Sequence, residues 1–94
     1  MRYTVDWSLE ALLELEGLRS YDVPPIVTAT ANLGHDAETP SRNRKRLSGL
    51  PLPYPDPTWE VRVRTFRVLY AVEDRKVTIL RVIVKGRRTT LEAL

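Results

Sequence analysis

Residues 59–72 read Trp59-Glu-Val-Arg-Val-Arg-Thr-Phe-Arg-Val-Leu-Tyr-Ala-Val72. Apolar and polar side chains alternate over 59–64, the period of a strand with one buried and one open face. Residues 66–72 read as a second strand, in which Phe66, Val68, Tyr70 and Val72 share one face and Arg67 lies on the other. The polar pair Arg64-Thr65 interrupts the pattern at the length of a tight hairpin turn. Such a turn fixes the register: Val63 opposite Phe66, Arg62 opposite Arg67, Val61 opposite Val68. A third run, Val77-Thr-Ile-Leu-Arg-Val-Ile-Val84, is rich in β-branched residues and follows the polar stretch 73–76. A turn centred on Asp74-Arg75 then sets Val72 opposite Val77, Tyr70 opposite Ile79 and Val68 opposite Arg81. The expected buried face holds Trp59, Val61, Val63, Phe66, Val68, Tyr70, Val72, Val77, Ile79 and Ile83, with Arg81 as its odd member. The other face carries Glu60, Arg62, Arg64, Arg67, Leu69, Leu80 and Val82.

Toward the N-terminus, residues 2–6 alternate as a short strand. Ser8 is placed to cap a helix over 9–18, in which Leu9, Leu12 and Leu13 share one side and Ala11, Leu15 and Leu18 widen the apolar face. A second helix is expected from Pro24-Pro25, with Asp22 as cap, Ile26, Ala29, Thr30 and Leu33 buried, and Gly34 as its end. Residues 35–57 hold Pro40, Pro51, Pro53, Pro55 and Pro57 and are expected to be irregular. Within them lies a basic segment, Ser41-Arg-Asn-Arg-Lys-Arg-Leu-Ser-Gly49, predicted as an exposed loop pinned by Leu47, Leu50 and Leu52. The last ten residues form a short helix or fray. The order is β-α-α-β-β-β: an α+β fold, with an antiparallel sheet packed against an α-helical hairpin, in one domain spanning 1–94.

Composition narrows the function. The 94 residues contain no cysteine and a single histidine, His35, so thiolate zinc sites and multi-histidine metal sites are excluded. No phosphate-binding glycine loop, metalloprotease helix or serine-hydrolase elbow occurs. No metal or cofactor is suggested. No apolar run approaches the roughly 18–20 residues of a membrane span. The first residues lack the pattern of a secretory signal, so a cytoplasmic protein is expected. Charge is segregated: residues 1–40 carry 2 basic and 7 acidic groups, residues 41–94 carry 13 basic and 5 acidic. A basic half of this kind suits a polyanion or an acidic protein segment.

Arg62 opposite Arg67 carries the most information. Like charges directly opposed on a sheet are unfavourable. An anion between them removes the conflict, and arginine grips phosphate bidentately. Removing both side chains should then cost little stability. With this inventory, phosphodiester cleavage would run without a metal: the RNA 2′-hydroxyl is the nucleophile, and cationic side chains stabilise the developing phosphorane charge.

The stretch 59–72, the strand 77–84, Gly86-Arg87-Arg88 and the segment Arg46-Leu47-Ser48-Gly49 together resemble the RelE/ParE superfamily of toxin–antitoxin toxins. The resemblance spans nearly the whole chain. It implies a type II toxin that inhibits translation by ribosome-dependent messenger RNA cleavage, as a metal-independent endoribonuclease. Carried over by position, Arg62, Arg67 and Arg87 are the catalytic candidates. Arg42, Arg44, Lys45, Arg46, Arg64 and Arg88 are the RNA-binding candidates. The implied partners are a cognate antitoxin, the ribosome and messenger RNA. Two departures stand out: Glu60 occupies a position that is basic in the best-developed nuclease members, and no tyrosine follows Arg88. They leave open a ParE-like gyrase poison acting by protein contact, or a weakened toxin.

Overall fold

The central hairpin forms where the alternation predicts it. The computed structural model describes residues 2–84 and 89–94. Strands β3 (Thr58–Val63) and β4 (Phe66–Glu73) pair antiparallel, with Val63 on Phe66, Arg62 on Arg67 and Val61 on Val68. The next turn places Asp74 and Arg75 at φ +50° and +62°, a twist that matches the flanking strands. It leads into β5 (Lys76–Val84).

Register holds from the turn as far as Tyr70 opposite Ile79 and then shifts, so that Leu69 faces Arg81, Val68 faces Val82 and Arg67 faces Ile83. One extra residue in β5 makes this bulge. It corrects the expected faces. Val82 joins the helix-side core, while Ile83 and Arg81 leave it.

The sheet order is β1-β5-β4-β3-β2, with β1 at Thr4–Trp7 and β2 at Arg44–Leu47. The sheet is not wholly antiparallel, because β1 runs parallel to β5. Nor is the basic segment wholly irregular: β2 pairs with β3, placing Arg44 on Val61, Lys45 on Glu60, Arg46 on Trp59 and Leu47 on Thr58. The free edge of β3 supplies hydrogen-bond partners that the local sequence does not reveal. Leu52 does not pin the following loop, since it is 92% exposed.

Beyond Trp7 the chain leaves the edge of β5 and enters α1 (Leu9–Glu16). The Ser8 hydroxyl accepts from the Ala11 N–H at 3.1 Å, capping the helix, and lies 3.2 Å from the Leu80 carbonyl. Glu14 then takes over the edge. Its carboxylate accepts the Val82 N–H at 2.8 Å and the Arg81 guanidinium at 2.8–3.1 Å. Arg81 also reaches Glu10 at 3.1 Å and the Tyr54 hydroxyl at 2.8 Å. These bonds, Glu14 first, hold Arg81 above the ordinary arginine basicity against the opposing effect of burial. They also set the rotation of α1. Ala11, Leu15 and Leu18 face the core, while Leu9, Leu12 and Leu13 point outward, reversing the expected emphasis.

Helix α2 (Val23–Asp36) begins at its prolines, and Asp22 makes no side-chain cap. It runs past Gly34 because its last carbonyls find partners. Tyr3 N–H donates to the Gly34 carbonyl at 2.8 Å, and Arg44 donates to the Asp36 carbonyl at 2.6 Å while pairing with its carboxylate at 2.9 Å. The buried Tyr70 hydroxyl donates to the Ala37 carbonyl at 2.6 Å, and burial pushes its pKa well above the usual phenol range. Tyr70→Phe leaves that carbonyl unpaired, with an expected loss of about 1–2 kcal/mol. Urea unfolding at neutral pH checks this, as a lower midpoint with an unchanged slope.

The C-terminal residues form α3 (Thr90–Ala93), capped by Thr89 and Glu92 in a reciprocal pair of hydrogen bonds. No helix among the described residues is long and apolar enough to cross a membrane.

Candidate anion-binding face

The sheet face turned away from the core brings together Lys45 of β2, Glu60 and Arg62 of β3, and Arg67 of β4. Strand alternation and the tight Arg64-Thr65 turn put them there. α3 meets the same face, where the Thr90 hydroxyl donates to Glu60.

The two arginines differ. Arg62 is exposed, its backbone N–H donates to the Asn43 carbonyl at 2.7 Å, and its guanidinium has no hydrogen bond or ion pair within the described residues. Arg67 is only 7% exposed. One of its terminal nitrogens donates to the Phe66 carbonyl at 2.9 Å and the Arg64 carbonyl at 3.2 Å, while its Nε is buried without a partner. Burial first, and then Arg62, hold its basicity below the ordinary arginine value; Glu60 acts in the opposite direction. Removing both side chains is therefore not cheap, because Arg67 is packed and bonded to its own turn.

Glu60 is 3% exposed, and Lys45 Nζ lies 3.8 Å from its second oxygen. From the sequence Glu60 is only a departure from a pattern. Its pairing with Lys45 depends on β2, which the sequence did not reveal.

The strand divides the basic segment. Lys45 shares the face with Arg62. Arg44 and Arg46 occupy register positions opposite core residues Val61 and Trp59. Arg44 is committed to the end of α2, and its Nε is also buried without a partner. Arg42 and Arg46 are exposed. Arg64, at φ +57° in the turn, lies 3.9 Å from the Asp22 carboxylate. Arg87 and Arg88 fall outside the described residues.

A shallow cleft of about 250 Å³ adjoins the face, between Lys45, Leu47, Ser48 and Leu50 on one side and Thr90 and Leu91 on the other. A larger one of about 480 Å³ lies elsewhere, against the Pro55-Asp56-Pro57 loop and Glu73. No group of three or more potential metal-ligating side chains occurs among the described residues.

An exposed guanidinium beside a fixed one can hold phosphate oxygens and stabilise charge developing on phosphorus. His35 lies in α2 and the Tyr70 hydroxyl is tied to Ala37, so neither is placed to transfer protons on this face.

No protein-family model matches the chain, and no curated protein matches it. Solved structures do. A chain of the archaeal RelE–RelB complex from Pyrococcus horikoshii OT3 is similar with a TM-score of 0.74 and 21% identity, over 93% of this chain and 99% of that one. A chain of the toxin–antitoxin complex RelBE2 from Mycobacterium tuberculosis is similar with a TM-score of 0.67 and 28% identity, over 87% and 96%. The α+β fold is thus of the RelE type, and the resemblance to the RelE/ParE superfamily holds in three dimensions.

Proposed function

We propose that this chain acts as a single-domain toxin of a toxin–antitoxin system, and that it inhibits translation by cleaving messenger RNA on the ribosome. The observation that carries this reading is the direct pairing of Arg62 with Arg67 on the open face of a RelE-type sheet. Arg62 is free to grip the scissile phosphate. Arg67 supplies a fixed positive charge beneath it. By the resemblance, Arg87 stabilises the transition state and Arg88 adds to RNA binding. Arg42, Lys45, Arg46 and Arg64 are exposed and would contact RNA backbone, whereas Arg44 serves mainly to hold α2. The 2′-hydroxyl attacks phosphorus as the P–O5′ bond breaks, leaving a 2′,3′-cyclic phosphate. Water takes the hydroxyl proton and returns one to the departing 5′-oxygen. The arginines stabilise the charge that builds on the phosphorane, so the step requires no metal.

An antitoxin on this reading would span two surfaces, the basic sheet face and the outer side of α1. An acidic extended segment suits the basic half of the chain. An amphipathic helix would cover Leu9 and Leu13, which are 73% and 58% exposed.

Glu60 favours a second reading, because a buried carboxylate stands where nuclease members have a cation: a gyrase poison that acts by protein contact. Induced expression without antitoxin separates the two. Rapid loss of protein synthesis with messages cut inside ribosomes is the expected result. Continued synthesis with altered DNA supercoiling would replace it with the second reading.

A further inference from the structure

Glu60 lies two residues along β3 from Arg62, on the same face, and diagonally across the hairpin from Arg67. It is held from two sides. The Thr90 hydroxyl donates to one oxygen, and Lys45 lies 3.8 Å from the other. At 3% exposure it cannot swing into solvent when another anion arrives. We infer that Glu60 is a resident counter-anion of the arginine face and sets how tightly that face holds a single-stranded RNA backbone.

The physical argument is direct. Two facing guanidiniums repel, and a fixed carboxylate beside them relieves the repulsion in the free protein. The same carboxylate repels an incoming phosphate. Because it is shielded from water, salt screens it less than an exposed charge. Its electrostatic support of Arg67 agrees with this arrangement. The face therefore grips RNA less tightly than its cations alone would, and it remains folded when empty. The inference rests on the RNA reading above and assigns a specificity role to a residue which that reading leaves unexplained.

The test is equilibrium binding of a short 2′-O-methylated oligouridylate, which cannot be cleaved, across a salt series. Glu60→Gln keeps an oxygen to accept from Thr90 and removes the charge. It is expected to bind about fivefold tighter at about 50 mM salt, with a log–log salt slope steeper by about 0.7. Glu60→Asp keeps the charge and should keep the wild-type slope. If Glu60→Gln does not fold, Lys45→Met serves instead, since Lys45 is exposed. Without Lys45 the carboxylate bears on the arginines alone, so this variant should lose more RNA affinity than Arg42→Met.

A folded Glu60→Gln protein with wild-type affinity and slope overturns the inference, as does equal loss in Lys45→Met and Arg42→Met. Cleavage of messages by the wild type alongside unchanged binding in Glu60→Gln would remove the inference and keep the proposed function. Tighter binding in Glu60→Gln from a protein that leaves translation intact would do the reverse. No binding by either protein overturns the inference, while the induced-expression experiment still decides the proposed function on the ribosome.

Discussion

Arg62→Ala is expected to lower translation inhibition by about 100-fold or more, because it removes the exposed guanidinium that, among the described residues, stands unpaired on this face. Stability should stay within about 0.5 kcal/mol, since the side chain is exposed and unbonded. The measurement is a cell-free translation assay beside a thermal melt. Wild-type inhibition by a well-folded Arg62→Ala protein would remove Arg62 from the reaction. Arg67→Ala is a poorer probe. That side chain is buried and bonded to the Arg64 and Phe66 carbonyls, so lost activity there would mix chemistry with folding.

Glu14→Ala carries the largest expected cost in stability. The Glu14 carboxylate satisfies both the Val82 N–H and the part-buried Arg81 guanidinium. Its loss leaves a backbone donor and a charge without their main partner, for about 3 kcal/mol. In a domain of this size that is a fall in Tm of roughly 12–24 °C. Glu14→Gln keeps one acceptor for Val82 and should fall between. Glu10→Ala removes the more exposed of the two partners and should shift stability by less than about 1 kcal/mol. Equal melting of all four proteins would show that α1 is held by its apolar contacts alone.

These residues also mark where sequence reading succeeds and where it stops. The hairpin and the Arg62–Arg67 pair are legible because 59–64 alternates strictly, Phe66-Arg67-Val68 resumes the alternation beyond the turn, and the turn has only one sensible length. The bulge in β5 is not. Thr78-Ile-Leu-Arg-Val-Ile-Val84 is apolar at both parities, so a one-residue slip leaves no trace in its pattern. The rotation of α1 is hidden for a similar reason. Leucines occupy 9, 12, 13, 15 and 18, and hydrogen bonds that Glu14 accepts from a strand far along the chain choose which of them face inward. β2 is invisible because Arg-Lys-Arg-Leu has no apolar alternation and becomes a strand only against β3. Of the candidate site, the arginine pair was readable. The commitment of Arg44 to α2, and the seat of Glu60 between Lys45 and Thr90, both depend on contacts made across the fold.

The parallel pairing of β1 with β5 has a consequence in time. Ser8 bonds to Leu80, 72 residues later, and β1 has no strand partner until β5 exists. During synthesis the β3–β4 hairpin can close locally, while β1 and the lock of α1 must wait for nearly the whole chain to emerge. Long-range pairings of this kind slow folding, because the loop must close before any contact rewards it. The nascent chain is thus expected to form its arginine hairpin before β1 and α1 close over the opposite, apolar face of the sheet, so a co-translationally supplied partner would meet the basic face before the domain is complete.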